Sequence, residues 1–268
     1  MARANRHYIP GYVWHITHRC HKKECLLKFS RDRRRWIQWL FEAKKRFNLS
    51  VLNYMVTSNH IHLLVYDNHG PEVIPKSMQL IAARTGQEYN IRKKRKGAFW
   101  EDRYHATAIE QNSHLNRCLV YIDLNMVRAG VVEHPSMWQF CGYNEIQDPP
   151  RRYRIIDLDA LASLVGCTDL QELQSAHKNW IKASLRHDEP ERQSHWTRSI
   201  ASGSRPFVEE VKKSLGFKAI GKYITGGKDH YQLKENVSNF GGDPLPEPET
   251  TKKTDAAATN TFIWRDVS

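Results

Sequence analysis

The sequence lacks any apolar run suited to a bilayer. Its longest stretch without a charged residue, 47–66, is interrupted by asparagine, serine and histidine, whereas a spanning helix needs about 20 predominantly apolar residues. The first residues, Met1-Ala-Arg-Ala-Asn-Arg-His, carry no apolar core of an export signal, so a cytoplasmic protein without membrane contact is expected. Cysteine is scarce and odd in number: Cys20, Cys25, Cys118, Cys141 and Cys167. Five thiols without an export signal argue against a disulfide framework and for reduced side chains. His18, Cys20, His21 and Cys25 lie close together, but their spacing fits no standard zinc finger and no second ligand pair follows, so the segment reads as an ordinary loop. No internal repeat is present.

Acidic residues are also thin in one part of the chain. Residues 1–154 hold 26 Lys and Arg against 13 Asp and Glu, while residues 155–268 hold 15 against 16. The entire net charge of +12 therefore belongs to the N-terminal part. A localised positive field of this kind suits a polyanion, most simply nucleic acid.

Hydrophobic periodicity divides the chain into elements. Tyr12, Trp14 and Ile16 alternate at period two and predict a strand over 12–18. Trp36, Leu40, Ala43 and Phe47 recur at helical spacing and predict a helix over 32–47. Strands follow at 50–56 and 60–66, joined by Thr57-Ser58-Asn59 as a hairpin. A helix over 73–91, an extended segment over 99–110 and a helix over 113–129 complete the series, the last with Ser113 as its cap and Gly130 at its end. The order β-α-β-β-α-β plus a further helix is that of the split βαβ, ferredoxin-like (RRM-like) core in an α+β fold. Beyond Pro149-Pro150 the periodicity is mainly helical, over 157–186 and 205–216. From Asn236 the chain is rich in Gly, Pro, Thr, Lys and Glu, the composition of a flexible tail. The expected organisation is a core domain at 1–150, a mainly helical extension at 151–235 and a tail at 236–268.

Chemistry gathers at two places. In Asn59-His60-Ile61-His62-Leu63-Leu64, strand alternation sends His60 and His62 to one face and Ile61, Leu63 and Val65 to the other. Two imidazoles held side by side on a strand suit a metal ion or a phosphate. On the helix 113–129, Leu115, Leu119, Ile122 and Met126 form an apolar stripe, and Arg117, Tyr121, Asn125 and Arg128 form a separate polar one. A helical tyrosine is by default apolar payload. Polar neighbours one turn away instead make Tyr121 a candidate nucleophile beside two guanidiniums. Two basic clusters, Arg92-Lys93-Lys94-Arg95-Lys96 and Arg31 with Arg33, Arg34 and Arg35, are candidates for phosphate contact, together with Arg117 and Arg128.

These segments, with Pro10-Gly11-Tyr12-Val13-Trp14-His15-Ile16-Thr17, Phe99-Trp100-Glu101-Asp102-Arg103-Tyr104 and Tyr121-Ile122-Asp123-Leu124-Asn125-Met126-Val127-Arg128-Ala129-Gly130, resemble the Y1 HUH transposases of the IS200/IS605 type, most closely the REP-associated tyrosine transposases. The resemblance covers about residues 5–145. It implies that His60 and His62 hold a divalent ion, Mg²⁺ or Mn²⁺, with Asn125 as third ligand; Glu101 or Asp102 is an alternative to Asn125, because hard divalent ions prefer carboxylate oxygen. It implies that Tyr121 attacks a phosphate of hairpin-bearing single-stranded DNA, leaving a 5′-phosphotyrosine and a free 3′-hydroxyl, so that nicking and strand transfer follow. A homodimer is compatible with it. Two other readings share the same residues: a binding module that grips structured nucleic acid without cutting it, and a replication or plasmid-transfer initiator. Pure binding places no demand on His60, His62, Tyr121 and Asn125 together, and the chain has little room for the helicase or relaxase regions of an initiator.

Overall fold

The computed structural model describes residues 9–186, 193–228 and 230–235; the tail expected at 236–268 lies outside the described residues. Strand β1 (Val13–Arg19) is followed by helix α1 (Ser30–Phe47), the hairpin β2 (Ser50–Val56) and β3 (His60–Tyr66), helix α2 (Val73–Arg92) and strand β4 (His105–Ile109). β1 pairs antiparallel with both β3 and β4, and β2 closes on β3, giving the order β2-β3-β1-β4. This is the ferredoxin-like arrangement, and the protein is α+β.

The local reasons are visible in the sequence. In α1, Trp36, Leu40 and Ala43 are buried one turn apart, and Asn48 ends the helix in the left-handed conformation (φ 57°) that asparagine tolerates better than most residues. The β2–β3 turn is closed by the Thr57 amide donating to the His60 carbonyl at 3.0 Å. Alternation then sorts the sheet into two faces. Trp14 and Ile16 on β1, with Ile61, Leu63 and Val65 on β3, are buried on one face, the side of α2, whose Ala82 carbonyl accepts from the Trp100 indole at 3.0 Å. The other face carries His15, Thr17 and Arg19 on β1 and His60 and His62 on β3, with Thr17 opposite His62 and Arg19 opposite His60.

That second face is covered by helix α3 (Ser113–Asp123), which continues after a break into α4 (Asn125–Arg128). The single helix expected over 113–129 is thus interrupted at Leu124, whose ψ of 5° departs from helical geometry. Asn112, rather than Ser113, is the residue that precedes the first turn. Gly130 ends the segment as expected, at φ 64° where a Cβ would be strained. The extended segment expected over 99–110 is a strand only from His105; residues 99–104 form a loop fixed beside the end of β1 by a bridge between Cys20 and Trp100 and by the Glu101 amide donating to the Arg19 carbonyl at 2.9 Å.

The rest of the described chain, the end of the core segment and then the extension, continues the same body. Helices α5 (Gly142–Gln147), α6 (Leu158–Val165), α7 (Leu170–Arg186) and α8 (His195–Arg198) precede strand β5 (Ala201–Gly203), helix α9 (Arg205–Ser214) and the hairpin β6 (Lys222–Gly227) and β7 (His230–Glu235). The helix expected over 157–186 is two, separated at Gly166 with φ 80°. These three strands, which no alternation in the sequence predicts, lengthen the sheet to seven among the described residues, in the order β2-β3-β1-β4-β5-β7-β6, with β5 parallel to β4. No described helix is long and apolar enough to cross a membrane.

A buried polar network ties α3 to both the sheet and the extension. Asp123, fully buried, accepts from Asn53 Nδ2 on β2 at 3.0 Å and is bound to His177 Nε2 on α7 at 2.7 Å. The other nitrogen of His177 meets Gln147 Nε2 of α5 at 3.0 Å. Gly142 allows α5 this close approach, since a Cβ there would fall 2.2 Å from Asn53 Oδ1.

Candidate active site

The two sheet histidines are each oriented by defined partners. His60 Nδ1 lies 2.9 Å from Thr57 Oγ1 and 2.7 Å from Asn59 Oδ1. The Thr57 hydroxyl gives its proton to the His60 carbonyl at 2.8 Å, so its oxygen is an acceptor toward the ring. His60 therefore carries its proton on Nδ1 and its lone pair on Nε2.

His62 is oriented through a second histidine. His15 Nδ1 lies 2.8 Å from the backbone carbonyl of Trp196, which only an N–H can satisfy, and His15 Nε2 lies 2.9 Å from His62 Nδ1. Burial holds His15 neutral, pushing its pKa down to about 4 against the opposing effect of the Trp196 bond. A neutral His15 that donates from Nδ1 must accept at Nε2, so His62 donates from Nδ1 and keeps its lone pair on Nε2. Asn125 Nδ2 stands 3.1 Å from that nitrogen. Both strand histidines thus present the same nitrogen, with ring centroids 5.0 Å apart.

Tyr121 is brought to the same place. Its ring centroid lies 5.9 Å from that of His62 and 6.2 Å from that of His15, edge to face with each, and 6.3 Å from the indole of Trp196. Tyr121 is 5% exposed: within the polar stripe it turns into the protein, while Asn125 and Arg128 are half-buried. Arg128 places its guanidinium 4.3 Å over the Tyr121 ring and donates to the Tyr121 carbonyl at 2.5 Å. Burial pulls the Arg128 pKa down while Tyr121 opposes it, yet a guanidinium stays charged at any ordinary pH.

The residues present fit a divalent cation in one way. Among the described residues no group of three His, Cys, Asp or Glu side chains is gathered closely enough to hold a metal ion. Two imidazoles and the amide of Asn125 are gathered, and a half-turn of that amide presents Oδ1 in place of Nδ2. Mn²⁺ accepts imidazole with oxygen ligands, and Mg²⁺ prefers oxygen throughout. Glu101 and Asp102, the alternative third ligands, are exposed; the Asp102 carboxylate accepts from the Arg103 amide at 2.8 Å.

The basic residues separate by role. Arg92 is ion-paired with the buried Asp32, and Arg95 ties the turn together through the Ala98 carbonyl at 2.9 Å. Lys93, Lys94 and Lys96 are exposed. In the second cluster, Arg33 packs on Trp138 and Phe140 and Arg35 pairs with Glu88, while Arg31 and Arg34 are exposed. The Arg92–Asp32 pair joins the two clusters into one surface. Arg117 is exposed on α3, one turn before Tyr121. Trp100 stacks on His18 at 4.1 Å and serves packing.

His15 and the Trp196 carbonyl had no signal in the sequence as parts of this site. Period two does place His15 on the face of Thr17 and Arg19. That His62 faces that strand depends on the β1–β3 register, which only the structure supplies.

Residues 9–125 match the family described as Transposase IS200 like. Among solved structures, that of a REP-associated tyrosine transposase bound to a REP hairpin is 19% identical over 54% of this chain and 84% of its own, with a TM-score of 0.46. A Deinococcus radiodurans R1 protein described as a transposase is 14% identical over 43% of this chain and 90% of its own, with a TM-score of 0.32. No curated protein matches.

Proposed function

We propose that this protein, whose residues 9–125 match the family described as Transposase IS200 like, nicks hairpin-bearing single-stranded DNA and transfers strands through a covalent bond to Tyr121. The observation that carries this reading is the Tyr121 ring 5.9 Å from the ring of His62 in the same chain. A nucleophile and a phosphate-activating centre then meet without a second copy, which favours attack in cis and leaves a homodimer unnecessary for chemistry.

The step exchanges one phosphodiester bond for another. Tyr121 Oη bonds to phosphorus, the P–O3′ bond breaks, and the departing 3′-oxygen takes up the phenolic proton, leaving a 5′-phosphotyrosine and a 3′-hydroxyl. Bond count and charge are unchanged, so a different 3′-hydroxyl can reverse the step and complete strand transfer without an energy source. Arg128 sets a fixed positive charge over the Tyr121 ring, where it favours the negative charge that builds on the phosphate oxygens. His60 Nε2, His62 Nε2 and Asn125 are the groups that would hold a divalent ion, Mg²⁺ or Mn²⁺. When bound, it supplies Lewis-acid polarisation of the scissile phosphate. Lys93, Lys94 and Lys96, with Arg31, Arg34 and Arg117, offer exposed positive charge for the rest of the DNA; Arg92 and Arg95 act by fixing the turn that presents these lysines.

Incubation with single-stranded hairpin DNA and Mn²⁺, read by denaturing electrophoresis, tests the reading. Cleavage into one 3′-hydroxyl fragment and one fragment retained on protein is expected, and a chelator or the pair His60→Ala with His62→Ala abolishes both. Cleavage that survives the double substitution refutes the metal assignment. Tight hairpin binding by the unaltered protein with no cleavage in either metal favours the binding module instead.

A further inference from the structure

A cavity of about 500 Å³ opens beside Tyr121 between α3 and α7, a size in the range of small-ligand sites. Its two walls differ in chemistry. One is cationic: Arg117 and Arg128 flank Tyr121 on the α3–α4 segment. The other belongs to the extension and holds Trp180 and Ser184 of α7, with Gln193 beyond. Trp180 is half-buried and lies outside the family match at 9–125.

The separation of the walls is fixed by the buried network. His177, one turn before Trp180, is bound at 2.7 Å to Asp123, two residues after Tyr121. Gln174, a further turn back, donates to the Ile146 and Gln147 carbonyls at 3.1 Å. The indole is therefore presented to the tyrosine cleft by a rigid helix. A positive wall facing an aromatic one is the combination by which proteins hold single-stranded nucleic acid, with cations on phosphates and a ring against a base. The near-neutral charge of the extension fits a wall that offers stacking and leaves phosphate contact to α3 and α4.

We propose that this cleft is a nucleotide subsite, in which a base adjoining the scissile phosphate stacks on Trp180 while Arg117 and Arg128 hold the neighbouring phosphates. The subsite rests on the reading of the protein as acting on single-stranded DNA. It assigns the extension a purpose: to complete the cleft and select an unpaired nucleotide, since a base within a duplex has no free face to offer.

The test uses hairpin oligonucleotides carrying 5-iodouracil at successive single-stranded positions, irradiated with the full-length Tyr121→Phe protein and mapped by mass spectrometry. A cross-link at Trp180, in the tryptic peptide 179–182, is expected at one or two positions. In equilibrium binding, Trp180→Ala weakens affinity for the same oligonucleotide about ten-fold, and Trp180→Phe keeps it within about three-fold, as expected for stacking of one base. Cross-links confined to other peptides, or Trp180→Ala affinity equal to that of the parent, overturn the proposal. The cross-link is read with Trp180 in place, so it decides the matter even where Trp180→Ala unfolds. A cross-link at Trp180 in a protein whose wild type forms no covalent adduct sustains the subsite and refutes cleavage; an adduct without the cross-link does the reverse.

Discussion

Replacing His15 by phenylalanine tests whether His62, a proposed metal ligand, must be oriented as well as present. His15 Nε2 accepts from His62 Nδ1 at 2.9 Å, and both rings are buried. Phenylalanine fills similar space but accepts nothing, so the His62 Nδ1–H loses this acceptor at a cost of about 1–3 kcal/mol. The ring escapes part of that cost by moving its proton to Nε2, which aims an N–H at the site where a cation belongs. A penalty of 1.4–2.7 kcal/mol is about 10- to 100-fold in a binding constant, the range typical for loss of a partner behind a ligating histidine. Mn²⁺ affinity, read from free Mn²⁺ by electron paramagnetic resonance, is expected to fall by that factor in His15→Phe. His15→Gln, whose amide oxygen can accept, recovers part of it. Far-ultraviolet circular dichroism should be unchanged. Unaltered Mn²⁺ affinity in His15→Phe, with affinity lost in His62→Ala, would refute the tautomer argument.

Other perturbations address the frame around the site. Asp123→Ala leaves Asn53 Nδ2 and His177 Nε2 without their acceptor in a fully buried place and is expected to lower unfolding free energy in urea by about 3–5 kcal/mol, with Asp123→Asn less severe. His195 and His230 have their pKa values pushed down from 6.5 to about 3 and about 4, first by burial, then by charge repulsion within the cluster they form with His114 and Arg117, His230 and Lys234 also acting on His195. Below pH 6.5 the unfolded chain therefore binds more protons than the folded one, so this stability is full above 6.5 and is lost as pH falls toward 4. The melting temperature should decline between pH 7 and pH 5, and His230→Asn should flatten the decline. Lys93→Ala, Lys94→Ala and Lys96→Ala combined should reduce the slope of log affinity against log salt by about 2 for single-stranded DNA. Arg92→Ala should instead lower the melting temperature, because its partner Asp32 is buried.

The sequence made the core legible wherever a periodicity ran uninterrupted. The strands at 50–56 and 60–66 and the turn between them lie where alternation places them, and the two sheet histidines share a face for the same reason. What escaped was set by partners distant in sequence. Asn53, Asp123 and His177 read as unrelated polar residues until folding buries them together. The strands β5, β6 and β7 carry small or polar residues, Ala201-Ser202-Gly203 and Thr225-Gly226-Gly227 among them, and gain definition from pairing, β5 onto β4, β7 onto β5 and β6 onto β7. Five consecutive basic residues looked uniform, whereas Asp32 withdraws Arg92, and the Ala98 carbonyl withdraws Arg95, from the surface chemistry. The break at Leu124 was hidden because the apolar stripe runs through it.

The proposed function turns on a covalent bond between Tyr121 and DNA. Single-stranded hairpin DNA reacted with Mn²⁺, digested with nuclease and trypsin, and analysed by tandem mass spectrometry tests it directly. Peptide 118–128 contains one tyrosine, and a nucleotide attached through its 5′-phosphate to that residue is expected, with no adduct in Tyr121→Phe. A 5′-phosphate linkage on any other residue, or an adduct that persists in Tyr121→Phe, would contradict it.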